Sequence, residues 1–239
     1  MSEASRYGAS VFTIRSSEQA RDPSGLGVLV NLVPSLGVRA LVFSNDVLPL
    51  PNPEALQAAV FEFVLPEVGQ QIHLRLKAED VAQTSTSPEN DLGATIVELK
   101  SDFATNLEQR GCSFLPVNKS VAGEQRVVVV RLNVGSMGNC VRVVEQTLLR
   151  RVAPVLLQYY LTSGPAITGK GAPVFSTASA AAGDAVLGVE RFQGKAERPG
   201  PGVSQPHFAT SMVAIAEYYA AIKQGYVRFL SVLMNTLSV

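Results

Sequence analysis

The sequence predicts an α+β protein: a β-rich N-terminal part, residues 1–134, and a helical C-terminal part, residues 135–239, ending in a long amphipathic helix. Three observations predict it. The first half holds short apolar runs broken by Pro, Gly and Ser clusters. The pattern changes after Gly138. Large apolar residues then recur every three or four positions from Phe208 to Leu237. With no linker between Val134 and Asn139, one continuous core is expected to join the two parts.

Taken in order, Val11 to Arg15 alternates apolar and polar residues and predicts a strand. Gly27–Val33 and Val38–Phe43 are β-branched runs that predict two more. Pro49, Pro51 and Pro53 mark an extended connection, followed by one helical turn over Glu54–Ala59. From Val60 to Lys77 the alternation, broken by Pro66 and Gly69, predicts a hairpin. Residues 80–91 read as an exposed loop, Ala94–Leu99 as a strand, and Ser101–Arg110 as a short helix stopped by Gly111. Arg126–Val134 contains four consecutive valines, the mark of a strand covered on both faces.

In the second half, Asn139–Leu161 shows near-helical spacing through Val143, Val144, Leu148, Val152, Leu156 and Tyr160, with Pro154 expected to kink or split the helix. Residues 163–206 are dominated by Gly, Ala, Ser and Pro and predict an arm outside the core. The terminal helix is expected over Ser204–Leu237, weakened only by Gly225, at about 1 kcal/mol relative to Ala.

Composition bounds the function. Apolar residues make up 46% of the 239, enough for a packed core, and 20 basic residues balance 20 acidic ones, so no global charge draws the chain to nucleic acid or membrane. Two cysteines, Cys112 and Cys140, make no disulfide framework, and with only His73 and His207 no Cys/His metal pattern assembles. The N-terminus has no signal-peptide core, and no apolar run reaches the roughly 20 residues of a membrane span. A cytoplasmic location, or one within an assembled particle, is expected.

Three motifs invite chemistry. The turn Gly135-Ser136-Met137-Gly138-Asn139 follows the valine strand and opens the predicted helix, where backbone N–H groups could meet a phosphate through Gly135, Ser136, Gly138 and Asn139. It lacks the full G-x-G-x-x-G spacing and an acidic residue about 20 positions on, and a tight turn that needs glycine is the commoner explanation. Gly169-Lys170-Gly171 has neither the upstream glycine nor the following Ser or Thr of a phosphate loop. Cys140 at a helix start could carry a lowered pKa and pair with a histidine, but no Gly-x-Ser-x-Gly elbow accompanies either imidazole.

The functional expectation follows from sparse catalytic groups, the small-residue arm and the terminal seam. It is a self-associating structural protein that builds a polymer or shell, coat- or nucleocapsid-like, and that has no cofactor or metal. Its interface is expected at Met212, Ile215, Tyr219, Ile222, Tyr226, Phe229 and Leu233. Where nucleic acid is a partner, Arg75, Lys77, Arg142, Arg150 and Arg151 are the candidate phosphate contacts. The alternative is a nucleotide- or small-molecule-binding α/β enzyme using residues 135–140.

Overall fold

The computed structural model describes residues 7–48, 53–64, 71–87, 92–118, 124–134, 140–160, 167–168, 170–176, 185–191 and 206–225. Among these are fifteen strands against three α-helices, so the protein is mostly β. The expected α+β division fails for this reason.

The N-terminal strands are β1 (Val11–Arg15), β2 (Gly25–Val33), β3 (Val38–Ser44), β4 (Val60–Val64), β5 (Gln71–Leu74), β6 (Val81–Thr86) and β7 (Ala94–Leu99). They form one antiparallel sheet in the order β5-β4-β1-β2-β3-β7-β6, with β8 (Leu115–Pro116) added in parallel beside β2. Two short helices, α1 (Pro53–Ala58) and α2 (Ser101–Gln109), lie between its strands in sequence.

The C-terminal strands are β9 (Glu124–Val134), β10 (Cys140–Ala153), β11 (Leu156–Tyr160), β12 (Ile167–Thr168), β13 (Pro173–Ser176), β14 (Val186–Glu190) and β15 (Pro206–Ser211). They run in the order β10-β11-β15-β14-β13-β9, and β9 pairs again with β10. That pairing closes a six-stranded antiparallel barrel, with β12 paired to β9 beside it. Helix α3 (Met212–Lys223) follows directly and packs on β14, β15 and β2.

The apolar runs are explained by two cores that share β1, β2, β3 and β7. Leu29, Leu41, Phe43, Val97 and Leu99 face a core inside the sheet with Phe12, Phe61 and Phe63. Their neighbours Leu26, Val28, Val30, Val42 and Ile96 point the other way, into a core shared with the barrel. Successive side chains in a strand point to opposite faces, so a strand covered on both sides must be apolar throughout. Each such fully buried Leu, Ile or Phe contributes about 1.5–3 kcal/mol relative to exposure. Gly27 makes room for the aromatic core, since a Cβ there would lie 2.4 Å from Phe12 Cζ.

Four expectations for the second half are corrected here. The helix over 139–161 is instead the β10–β11 hairpin, with Pro154 and Val155 in its turn and Ala153 opposite Leu156. Its β-branched valines favour a strand, and Leu157 and Tyr159 are buried between less buried neighbours, which is period two. The small-residue arm supplies β12, β13 and β14, the latter two wholly buried in the barrel. The terminal helix starts at Met212, because Pro206–Ser211 is the barrel's last strand. The interface residues Met212, Ile215 and Tyr219 are fully buried in the chain's own core, with Ile222 packed against it. Tyr226, Phe229 and Leu233 lie outside the described residues.

Candidate functional site

The sheet and the barrel meet along a seam, and two tight turns flank one point on it. Strand β2 begins at Gly25. A Cβ on Gly25 would lie 2.7 Å from the Lys170 carbonyl and 2.7 Å from Val47 Cγ2. The Leu26 N–H donates to that same carbonyl at 2.9 Å. Gly171 takes φ +73, and a Cβ there would stand 2.2 Å from the Leu26 carbonyl. Glycine is required at both points because backbone meets backbone. The turn carrying Lys170 from the barrel and the turn carrying Asp46 from the sheet are thereby pressed against the same end of β2.

The Asp46 turn is held from within the sheet. Asn45 donates its backbone N–H to the Gly93 carbonyl at 3.0 Å and accepts the Thr95 hydroxyl at 2.8 Å. The Ser44 hydroxyl donates to the Asp46 carboxylate at 3.1 Å. Gly93, at φ +60, lies under the Arg191 guanidinium, whose Nε is 3.4 Å from the position of a Cβ. Thr210 donates its hydroxyl to the Leu92 carbonyl at 2.6 Å, a buried hydrogen bond from barrel to sheet. Asp46, Lys170 and Arg191 therefore stand along one seam, held by backbone contacts.

Just behind Arg191, Glu190 meets His207. Nδ1 of the imidazole is 2.8 Å from Glu190 Oε1, and its ring stacks on Tyr159 at 5.5 Å between centroids. The other histidine, His73, lies on β5 with Nδ1 3.1 Å from Glu62, which also binds Arg15 and the Thr13 hydroxyl. Among the described residues neither imidazole has a hydroxyl or thiol as hydrogen-bond partner. Burial pushes the Cys112 thiol up to about 11, against the opposing pull of Arg110, so it is a poor nucleophile. Cys140 opens a strand opposite Val134, with no helix terminus to favour a thiolate.

The sheet-and-barrel fold is a known one. The protein resembles a chymotrypsin-like β-barrel fold. A solved mutant of human heparin binding protein (CAP37) has a TM-score of 0.58 to this chain at 13% identity, over 92% of this chain and 93% of that one. Human heparin binding protein itself has a TM-score of 0.57, again at 13% identity, over 91% and 92%. At this identity the likeness is one of fold. No family model and no curated protein matches the sequence.

The earlier site residues can now be placed. Val134 pairs with Cys140 across β9 and β10, so residues 135–139 join two antiparallel strands and no helix follows them. Gly135, Ser136, Gly138 and Asn139 themselves lie outside the described residues. Arg75 and Lys77 follow β5 in the sheet, the first ion-paired with Glu18 and the second with Glu79 at 3.5 Å. Arg142, Arg150 and Arg151 belong to β10 of the barrel, where the adjacent Arg150 and Arg151 point to opposite faces of the strand. The coat-like, self-assembling expectation falls too. The helix meant to carry it packs in the core, and the two solved structures compared above are a heparin binding protein and its mutant. No described helix is long and apolar enough to cross a membrane.

Sequence reading missed the seam. Gly169-Lys170-Gly171, rejected above as a phosphate loop, is the one local signal of it. Its glycine is needed for backbone contact with a strand from the other half of the chain.

Proposed function

We propose that this chain is a protease-like protein, a sheet-and-barrel scaffold that takes an extended polypeptide segment at its seam without cutting it by a serine–histidine relay. One observation carries this reading. A relay needs an imidazole placed between a carboxylate and a hydroxyl. The chain has two histidines, each beside a carboxylate and neither beside a hydroxyl among the described residues. The polypeptide ligand is supported by the likeness of scaffold and by the charged groups Asp46, Lys170 and Arg191 along the seam, where two packed units commonly receive ligands. The solved neighbours are named for heparin, but 20 basic against 20 acidic residues give this chain no matching excess of positive charge.

A hydrolytic reading draws on one fact, that Glu190 and His207 already form a carboxylate–imidazole pair. Fluorescein-labelled casein separates the two readings. The expected result is a rise in anisotropy without release of small fragments, weakened by Lys170→Glu. Absence of binding overturns the proposal. Fragment release that disappears in His207→Ala overturns it in favour of hydrolysis.

A further inference from the structure

The inside of the barrel carries an unusual polar set. Strand register places it on one face. Arg131 lies opposite Val143, and Glu145 two residues on shares that face and ion-pairs with Arg131. Leu149, on the same side of β10, lies opposite Tyr159; Tyr159 lies opposite His207; and Ala209, two residues on, lies opposite Glu190. Alternation thus puts Arg131, Glu145, Tyr159, Glu190 and His207 on the inward face with the fully buried Leu149. Arg151 shares their parity but is exposed beside the bulge near the end of β10.

Two features of this set point to a guest. The first is charge. Among the described groups that face inward and are buried or nearly so, one cation, Arg131, stands against two carboxylates, Glu145 and Glu190. Arg131 is committed to Glu145, so Glu190 has no permanent cation of its own among these groups. The second is unmet bonding. Seven buried side-chain atoms lack a hydrogen-bond partner among the described residues, and five belong to this face: Gln125 Nε2, Arg131 Nε, Tyr159 Oη, Glu190 Oε2 and Ser211 Oγ. An unpaired buried polar atom costs about 1–3 kcal/mol, so such a concentration calls for something to satisfy it. Burial above all, with the Glu190 charge and a loose hydrogen-bonding contact to Glu190 adding to it, holds Tyr159 protonated, yet the hydroxyl closes no hydrogen bond of good geometry. His207, at 28% exposure, is the way in from solvent, while Glu190 is only 9% exposed.

We propose that this barrel interior binds a small organic monocation, an alkylammonium or guanidinium group held by Glu190 Oε2 and the Tyr159 hydroxyl oxygen. An N–H cation supplies both the missing charge and donors for both orphaned oxygens. The proposal goes beyond the seam reading and stands without it.

The test compares methylammonium chloride with tetramethylammonium chloride, which has the charge but no N–H. At about pH 8, above most of the range in which imidazoles titrate, methylammonium should raise the melting temperature and tetramethylammonium should not. Glu190→Gln should abolish this difference and Tyr159→Phe should reduce it. Since Glu190→Gln could fail to fold, an NMR titration of wild type decides independently. At about pH 8 methylammonium should shift the ring signals of His207, which lies against Glu190, and leave those of His73 unchanged. Equal effects of the two salts at about pH 8, or His207 signals unmoved by methylammonium, overturn the proposal.

Discussion

Tyr219 on α3 donates its hydroxyl to Glu98 on β7, a buried hydrogen bond between residues 121 positions apart. Lys223, one turn further along the helix, reaches the same carboxylate at 2.9 Å. The chain's last described helix is thereby latched to its N-terminal sheet through one nearly buried acid. A hydrogen bond to a charged acceptor is worth more than a neutral one, because the acceptor keeps its full charge where water is scarce.

Removing the Tyr219 hydroxyl while keeping its ring isolates this latch. Tyr219→Phe should cost about 1.5–3 kcal/mol in urea unfolding, with the m-value unchanged. A loss below about 0.5 kcal/mol, the scale of a surface substitution, would mean that the bond does not hold the helix.

Alkaline pH should weaken the fold. Desolvation raises Tyr219, with Glu98 adding to it; desolvation raises Tyr159, with Glu190 adding to it; and burial raises Cys112 to about 11 from an ordinary 9.0. Each group holds its proton more tightly folded than unfolded. The stability it contributes is complete below its unfolded value and is lost as pH rises through the folded one. For Cys112 that window runs from 9.0 to about 11; for the tyrosines it opens at about 10. Urea midpoints should be level up to about pH 9 and then fall, less steeply in Cys112→Ala. Midpoints that hold steady to about pH 11 would contradict the burial assigned to these groups.

The seam depends on Gly171. Gly171→Ala combines a positive φ with a Cβ 2.2 Å from a backbone carbonyl that cannot rotate away. The expected cost is about 3 kcal/mol, and hydrogen exchange should show early loss of protection at the Leu26 N–H. Gly37→Ala is the control: it shares the positive φ but has nothing within 4 Å of its Cβ position. Equal losses in the two would mean that backbone strain, not contact between sheet and barrel, sets the cost.

Strands whose burial is written locally were legible in the sequence. Val11–Arg15 is β1, the runs at Gly27–Val33 and Val38–Phe43 lie within β2 and β3, and Ala94–Leu99 is β7. The four valines of β9 are buried, as a run covered on both faces requires. The second half misled because its apolar residues fit two periods at once. Leu148, Val152 and Leu156 satisfy a helical spacing, while Leu157 and Tyr159 satisfy an alternation decided by pairing with β15. The Gly, Ala, Ser and Pro content of residues 163–206 suggested an arm, yet close approach inside a barrel favours small residues too: a Cβ on Gly188 would lie 2.6 Å from the Thr210 carbonyl. The site was illegible for a related reason. Lys170 meets Leu26, and Glu190 meets His207, only after both halves have folded, and no local motif records such pairs.

Histidines that serve no hydroxyl nucleophile should leave this scaffold inert to a fluorophosphonate, because that reagent forms a covalent adduct with a serine activated by a neighbouring base. Intact-mass measurement after incubation with the reagent should show an unchanged mass. One adduct per chain that is lost in His207→Ala would contradict the proposal.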